Sequence, residues 1–325
     1  MSSTALNQTI SSIGEFVQLQ VSERRFHTKS LLSTFFGDVV LPNDCYAWVE
    51  TICAAMEPLG VNDRLVRTTL FRMVEEGWVE STRSGRKSYY QLTEEAQRQT
   101  NLAERLIYYP DLPAWDGSWT LVFLVIGEID PEVKKEFVQE LGWIGFGSVT
   151  RGVWAHPGSN SEIVGELINQ LRLQSTVICM SCKNIQDAKL GLLIDDRELA
   201  ALCMSMNDAE VSYKEFIATY SPLLDGNGNV KLNGDVAQML SLRILMLDEF
   251  RRVRLKDSHL PNDLLPKQWA GHRAFDLCAA IYKQIYKATN SHYQALQKNA
   301  GHPKELAIEQ PNETVYKQRF NFESL

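Results

Sequence analysis

One stretch constrains this 325-residue chain more than any other, and it lies between Val61 and Leu92. Asn62 is placed to cap a helix over Asp63 to Glu76, which Gly77 stops. Val66, Thr69, Leu70, Met73 and Val74 cluster on one side of that helix, and Arg64, Arg67, Thr68 and Arg72 occupy the rest. Trp78-Val79-Glu80-Ser81-Thr82 and Ser88-Tyr89-Tyr90-Gln91-Leu92 then alternate about the turn Arg83-Ser84-Gly85-Arg86-Lys87, the pattern of a β-hairpin. Upstream, Ser30 to Val40 and Tyr46 to Met56 carry apolar residues at helical spacing, separated by the breaker Leu41-Pro42-Asn43-Asp44. Three helices followed by a basic-tipped hairpin is the order of a winged helix-turn-helix, expected over residues 27–93.

Charge agrees with that reading. The chain carries a net charge of −7, so it is not coated in basic surface. Between Val61 and Tyr90, however, six basic residues meet four acidic ones, which makes the segment locally +2 and the remainder −9. Positive charge is focused where a DNA-binding element needs it. On the third helix Arg64, Arg67 and Arg72 can pair with guanine edges in a major groove, and Thr68 can reach a phosphate or a thymine methyl. Arg83, Arg86 and Lys87 at the hairpin tip would touch phosphates or the minor groove, setting affinity and register more than sequence choice. Tyr89 and Tyr90 can each offer a hydroxyl to phosphate; alternation turns one of them inward, and Tyr89 stands among the candidate contacts.

Beyond the hairpin, Thr93 to Tyr109 reads as a connecting helix broken by Pro110 and Pro113, giving a linker over 94–117. Residues 118–190 follow as strand (Trp119 to Ile126), helix (Pro131 to Leu141), paired strands (Gly145 to Thr150, Val153 to His156), helix (Ser161 to Leu171) and strand (Thr176 to Cys182). That βαββαβ order is ferredoxin-like and suits a dimerisation or relay element. From 195 to 297 the signal is helical: Asp196 to Met204, Asp208 to Tyr220, Ala237 to Leu255 and Arg273 to Leu296. The expected class is therefore α+β, with a polar, mobile tail after Lys298.

The helical region holds a second dense cluster. Arg251, Arg252, Trp269, His272 and Arg273, around a Pro-pinned loop, suit an anionic ligand with an apolar or aromatic end. The same residues also suit a helix–loop–helix stapled by Arg–carboxylate pairs, or a dimer contact. No Gly-rich phosphate loop, H-E-x-x-H or G-x-S-x-G is present, and the six His are scattered. No catalytic or metal-binding residues, cofactor or enzyme activity are expected. Met1 to Gln20 has neither a basic n-region nor an apolar h-region, and the longest apolar run, Leu121 to Ile126, is far below the roughly 20 residues that span a bilayer. A cytoplasmic protein with six reduced cysteines is expected. Cys179-x-x-Cys182 lacks a second pair or nearby His set for zinc and reads as two small core residues on a buried strand.

Several runs resemble the phenylacetate-degradation repressor family (PaaX). They are Ser30-Leu31-Leu32 with Phe36-Gly37-Asp38; Pro58 to Thr68 with Glu76-Gly77-Trp78; Arg86 to Thr93; Trp119; Gly145-Phe146-Gly147; Gly152-Val153-Trp154; Glu249 to Arg252; and Trp269 to Ala274. The resemblance spans about residues 27 to 290. Asp248 and Ala270 stand where the family pattern has His and Pro. The resemblance implies a homodimeric repressor of an operon for aerobic phenylacetate breakdown, bound to a palindromic operator and released by phenylacetyl-CoA or a similar acyl-CoA. The middle domain also resembles the ferredoxin-like fold of CRISPR-adaptation endonucleases. Their metal-binding acid would fall at Gly127 here, with Glu128 and Asp130 out of register, so nuclease activity is a distant alternative, behind a regulator of a different operon or one without a small-molecule effector.

Overall fold

A computed structural model describes residues 10–24, 26–109, 114–125, 129–158, 160–184, 194–204, 206–303, 306 and 313–320. It divides into two compact units, both α+β. The first gathers Met1–Pro110, Tyr213–Leu255 and His272–Leu325, and the second Asp111–Ser212 and Lys256–Gly271.

The first unit opens with a helix outside the expected domain, α1 (Ile13–Glu23), which buries Ile13, Phe16 and Val17. Next, α2 (Thr28–Phe35) widens into a π turn over Phe36–Val40 and closes through Leu41–Asn43. Pro42 does not break the chain as expected. It occupies the first turn of the re-formed helix, where a missing N–H leaves no hydrogen bond unmade. Tyr46 to Trp48 is a strand, β1, and not the start of the second helix; α3 (Val49–Met56) begins only after it. An apolar run alone does not separate helix from strand, and the partner strand decides. Here β1 pairs antiparallel with the second strand of the hairpin, Tyr46 opposite Gln91 and Trp48 opposite Tyr89.

Asn62 caps α4 (Asp63–Glu75), its Oδ1 accepting from the Leu65 N–H at 2.9 Å. Gly77, at φ 69°, takes the left-handed conformation that ends the helix. The hairpin strands β2 (Val79–Ser84) and β3 (Lys87–Leu92) then pair in unbroken register from Val79–Leu92 to Ser84–Lys87, in a sheet ordered β1-β3-β2. Thr93 caps α5 (Glu94–Tyr108).

The second unit has the sequence β4 (Trp119–Leu124), α6 (Pro131–Trp143), β5 (Gly147–Thr150), β6 (Val153–Pro157), α7 (Ser161–Gln170), β7 (Val177–Cys182). The sheet order β5-β6-β4-β7, with every pair antiparallel, is the ferredoxin-like arrangement. Its core lies between the sheet and α6–α7, where Val122, Phe137, Leu141, Trp154 and Val164 meet. β7 is an edge strand with Ile178 and Met180 about half exposed, not the buried strand expected. Cys179 and Cys182 are half-buried free thiols that burial pushes up, away from the reactive thiolate. Gly127 and Glu128 lie outside the described residues, as do Pro110 and Pro113; Asp130 caps α6 by accepting from the Glu132 N–H at 2.8 Å. A further helix, α8 (Asp196–Cys203), lies against β5.

Among the described residues four α-helices follow: α9 (Met206–Tyr220), α10 (Val236–Arg254), α11 (Ala270–Ala300) and α12 (Glu313–Gln318). Every residue of α10 from Leu240 to Phe250 is buried, as befits a helix surrounded by protein. The segment after Lys298 is not merely a loose tail. Tyr316, Arg319 and Phe320 are all buried at 2% exposure or less.

Candidate nucleic-acid interface

The α4 helix sorts its residues by side. Val66, Leu70 and Met73 are fully buried, each such side chain contributing about 1.5–3 kcal/mol of apolar burial. Thr69 is half-buried, and Val74, expected inside, is exposed at the last turn. The other side carries Arg64, Arg67, Thr68 and Arg72, all exposed. Thr68 returns its hydroxyl to the Arg64 carbonyl at 2.8 Å, so its methyl is the group best placed to face outward. Leu65 and Phe71 are exposed on the same helix, Phe71 at 62%. A wheel drawn for charge passes over both, although two apolar side chains in a basic face could have flagged them.

The hairpin tip presents Arg83 and Arg86 to solvent, Arg83 steadied by its Nε donating to the Gly85 carbonyl at 3.2 Å. Lys87 differs from expectation. Its Nζ donates to the Ala300 carbonyl at 2.7 Å and stands 5.7 Å over the Trp48 ring, so its charge caps the C-terminal end of α11. Tyr89 is a second correction: at 2% exposure it sits edge-on to Tyr46 and Trp48, and offers nothing to a phosphate. Pairing with β1 turns Tyr89 inward and leaves Tyr90 half-exposed.

The residues of the second cluster are divided between the two units. Arg251 and Arg252 both face Asp248, at 3.7 and 3.2 Å, on the last turns of α10. His272 and Arg273 are exposed on the first turn of α11 and, with the Arg pair, belong to the first unit. Trp269 belongs to the second unit and is buried at 4% exposure, so it offers no open platform for an aromatic group.

What the sequence reading missed is the polar centre of the first unit. Asp38, in the π turn, accepts from Arg243 at 2.6 Å, Arg319 at 2.9 Å, Tyr108 at 2.8 Å and Tyr282 at 2.9 Å. Burial alone would raise this carboxyl; the two guanidiniums and the Tyr108 hydroxyl hold it below its ordinary value instead. Arg243 also donates to Thr289 and Asn290, and Arg319 to Glu104. One carboxylate thus ties α2, α5, α10, α11 and the residue after α12 together. Among the described residues no group of three metal-ligating side chains occurs, and no helix is long and apolar enough to cross a membrane.

Comparison with known proteins gives this geometry its class. The transcriptional repressor PaaX of Escherichia coli (strain K12) is 32% identical over 288 residues, covering 86% of this chain and 87% of its own. The uncharacterised protein Rv0674 from Mycobacterium tuberculosis shares the fold, with a TM-score of 0.53, 17% identity, and coverage of 81% of this chain and 96% of that one. The class is that of a PaaX-type transcriptional repressor, a regulator and not an enzyme. Models of a PaaX-like protein, of the PaaX central Cas2-like domain and of the PaaX-like C-terminal domain match residues 27–96, 112–191 and 205–295, and the chain belongs to the PaaX family. Those segments follow chain order, whereas packing joins the first and much of the last into one compact unit.

Proposed function

We propose that the chain represses an operon for phenylacetate breakdown by binding a palindromic operator as a homodimer, and that phenylacetyl-CoA releases it. One observation carries the DNA half: α4 buries one side and exposes Arg64, Arg67 and Arg72 on the other, and is followed by a hairpin with exposed Arg83 and Arg86. In a winged helix, α4 enters the major groove while the hairpin meets the adjoining backbone. Two-fold pairing of chains sets two such helices into successive grooves. Lys87 and Tyr89 take no part.

The effector half follows from the family and from chemistry. Arg252 and Arg273 are exposed guanidiniums, and His272 an exposed imidazole next to Arg273 in sequence, suited to the phosphates of a CoA thioester. The effector must bind the DNA-free conformation better than the DNA-bound one, because equal affinity shifts nothing. A coupling of about 1–3 kcal/mol lowers DNA affinity roughly 5- to 150-fold.

The test is fluorescence anisotropy on DNA from upstream of the chain's own operon, with phenylacetyl-CoA, free CoA and phenylacetate titrated in separately. Tight binding released by the thioester alone is expected. Binding indifferent to all three would keep the DNA element and discard the effector.

A further inference from the structure

Phe71 keeps 62% of its surface in water, in the middle of a helix face that is otherwise charged or polar. A lone apolar residue on a surface is ordinary, so what matters is its place on the helix. Val66, Leu70 and Met73 mark the buried side of α4. Leu65 and Val74 flank that side, as residues at the rim of a core do, and are 43% and 37% exposed. Phe71 does not belong to the rim. It follows Arg67 by four residues and Arg64 by seven, which at about 3.6 residues per turn puts it on the outermost stripe, opposite the core.

Thr68 extends the apolar surface. Its hydroxyl is returned to the Arg64 carbonyl at 2.8 Å, which leaves the methyl outward, and Phe71 follows three residues later on the same face. Methyl and ring thus form one strip, with the exposed guanidiniums of Arg64, Arg67 and Arg72 around it. A surface of that kind fits few partners. An apolar protein face would have to bring acids to meet three arginines. The major groove of DNA already presents both chemistries together: phosphates along its edges, guanine acceptors for Arg and, as apolar group, the thymine C5-methyl. From Arg64 to Phe71 the helix rises about 10 Å, the length of about three base-pair steps.

We infer that Phe71, with the Thr68 methyl beside it, is a specificity-determining residue that reads a thymine methyl within about three base pairs of the base that Arg64 meets. The inference rests on the DNA-binding function proposed above and adds what the arginines do not supply. Guanidiniums select guanine, whereas the strip selects thymine against cytosine, which lacks the methyl. The ligand chemistry is a 5-methylpyrimidine in B-form DNA. RNA falls outside it, because uracil carries no methyl and the A-form major groove is too narrow for side chains to read.

The test replaces the thymines of the DNA fragment upstream of the chain's own operon by deoxyuridine, one position at a time, and follows binding of the full-length protein by anisotropy. Each replacement removes a methyl and changes no hydrogen-bonding group. Wild type is expected to bind at least one such duplex about fourfold more weakly than the parent, the loss that goes with one methyl-sized group left unburied. Phe71→Ala, at an exposed helical position that alanine suits, should bind the parent duplex more weakly by about that factor or more and no longer respond to the methyl at that position. Phe71→Leu, which keeps an apolar side chain there, should still respond. Equal affinity of wild type for every duplex overturns the inference, and so does a methyl effect that Phe71→Ala preserves in full. If Phe71→Ala instead alters the sedimentation of the free protein and weakens all duplexes alike, the ring serves a contact between copies of the chain and the inference falls. These failures leave the DNA-binding function standing. Wild type that binds no fragment, the parent included, removes that function and this inference with it.

Discussion

Arg67 and Arg86 are both exposed arginines of the proposed DNA-binding element, yet their loss should read out differently. Arg67 faces out from the centre of α4, where a base edge would lie. Arg67→Ala is expected to lower affinity for the operator by about 1–3 kcal/mol while leaving binding to scrambled DNA nearly unchanged. Arg86 is at the hairpin tip. Arg86→Ala should weaken both DNAs alike and reduce the slope of log affinity against log salt by about 0.9, the signature of one lost phosphate contact. Anisotropy titrations on the two DNAs at several salt concentrations measure both. Lys87 supplies the contrast, because its ammonium is committed to Ala300 O. Lys87→Met should leave the salt slope unaltered and lower unfolding stability by about 1.5 kcal/mol, the scale of a charge-assisted hydrogen bond.

At the scale of elements, two close approaches set the geometry. The α4 start depends on Asn62, whose side chain accepts the Leu65 N–H that the helix cannot satisfy itself. In the second unit, a Cβ on Gly147 would lie 2.0 Å from the Cys203 carbonyl oxygen, so only glycine lets the end of α8 sit on β5. Gly147→Ala is expected to push α8 off the sheet at a cost of about 1–3 kcal/mol, seen as earlier urea unfolding with DNA contacts untouched. If the variant unfolds like the wild type, the α8–β5 contact is not close-packed in solution.

Across the first unit, stability runs through Asp38. Its carboxyl is held below its ordinary value by Arg243 and Arg319, so its stabilising contribution is complete above the unfolded-state value of 3.8 and is lost as pH falls from there through the folded value. Asp38→Asn should therefore destabilise the protein at neutral pH and flatten the decline of thermal stability at the acid end, compared by calorimetry across pH. Breaking the buried pair from the other side, with Arg243→Met, leaves a buried carboxylate short of a partner and should cost about 3–5 kcal/mol.

Features that depend on neighbours along the chain could be read from the residue order alone. The N-cap, basic face and Gly stop of α4, the alternation of the hairpin and the βαββαβ order were all legible, because periodicity and turn chemistry act over a few residues. Only tertiary structure decided that Tyr46 to Trp48 is a strand, since an apolar run adopts whichever form finds a partner, and β3 was there to pair with it. The same pairing turned Tyr89 inward and put Lys87 against the end of α11. Asp38, Arg243 and Arg319 stand up to 281 residues apart, and no local pattern announces that one carboxylate will meet both guanidiniums. Desolvating each charge is tolerable only when the others are already in place, and that condition exists only in the folded chain.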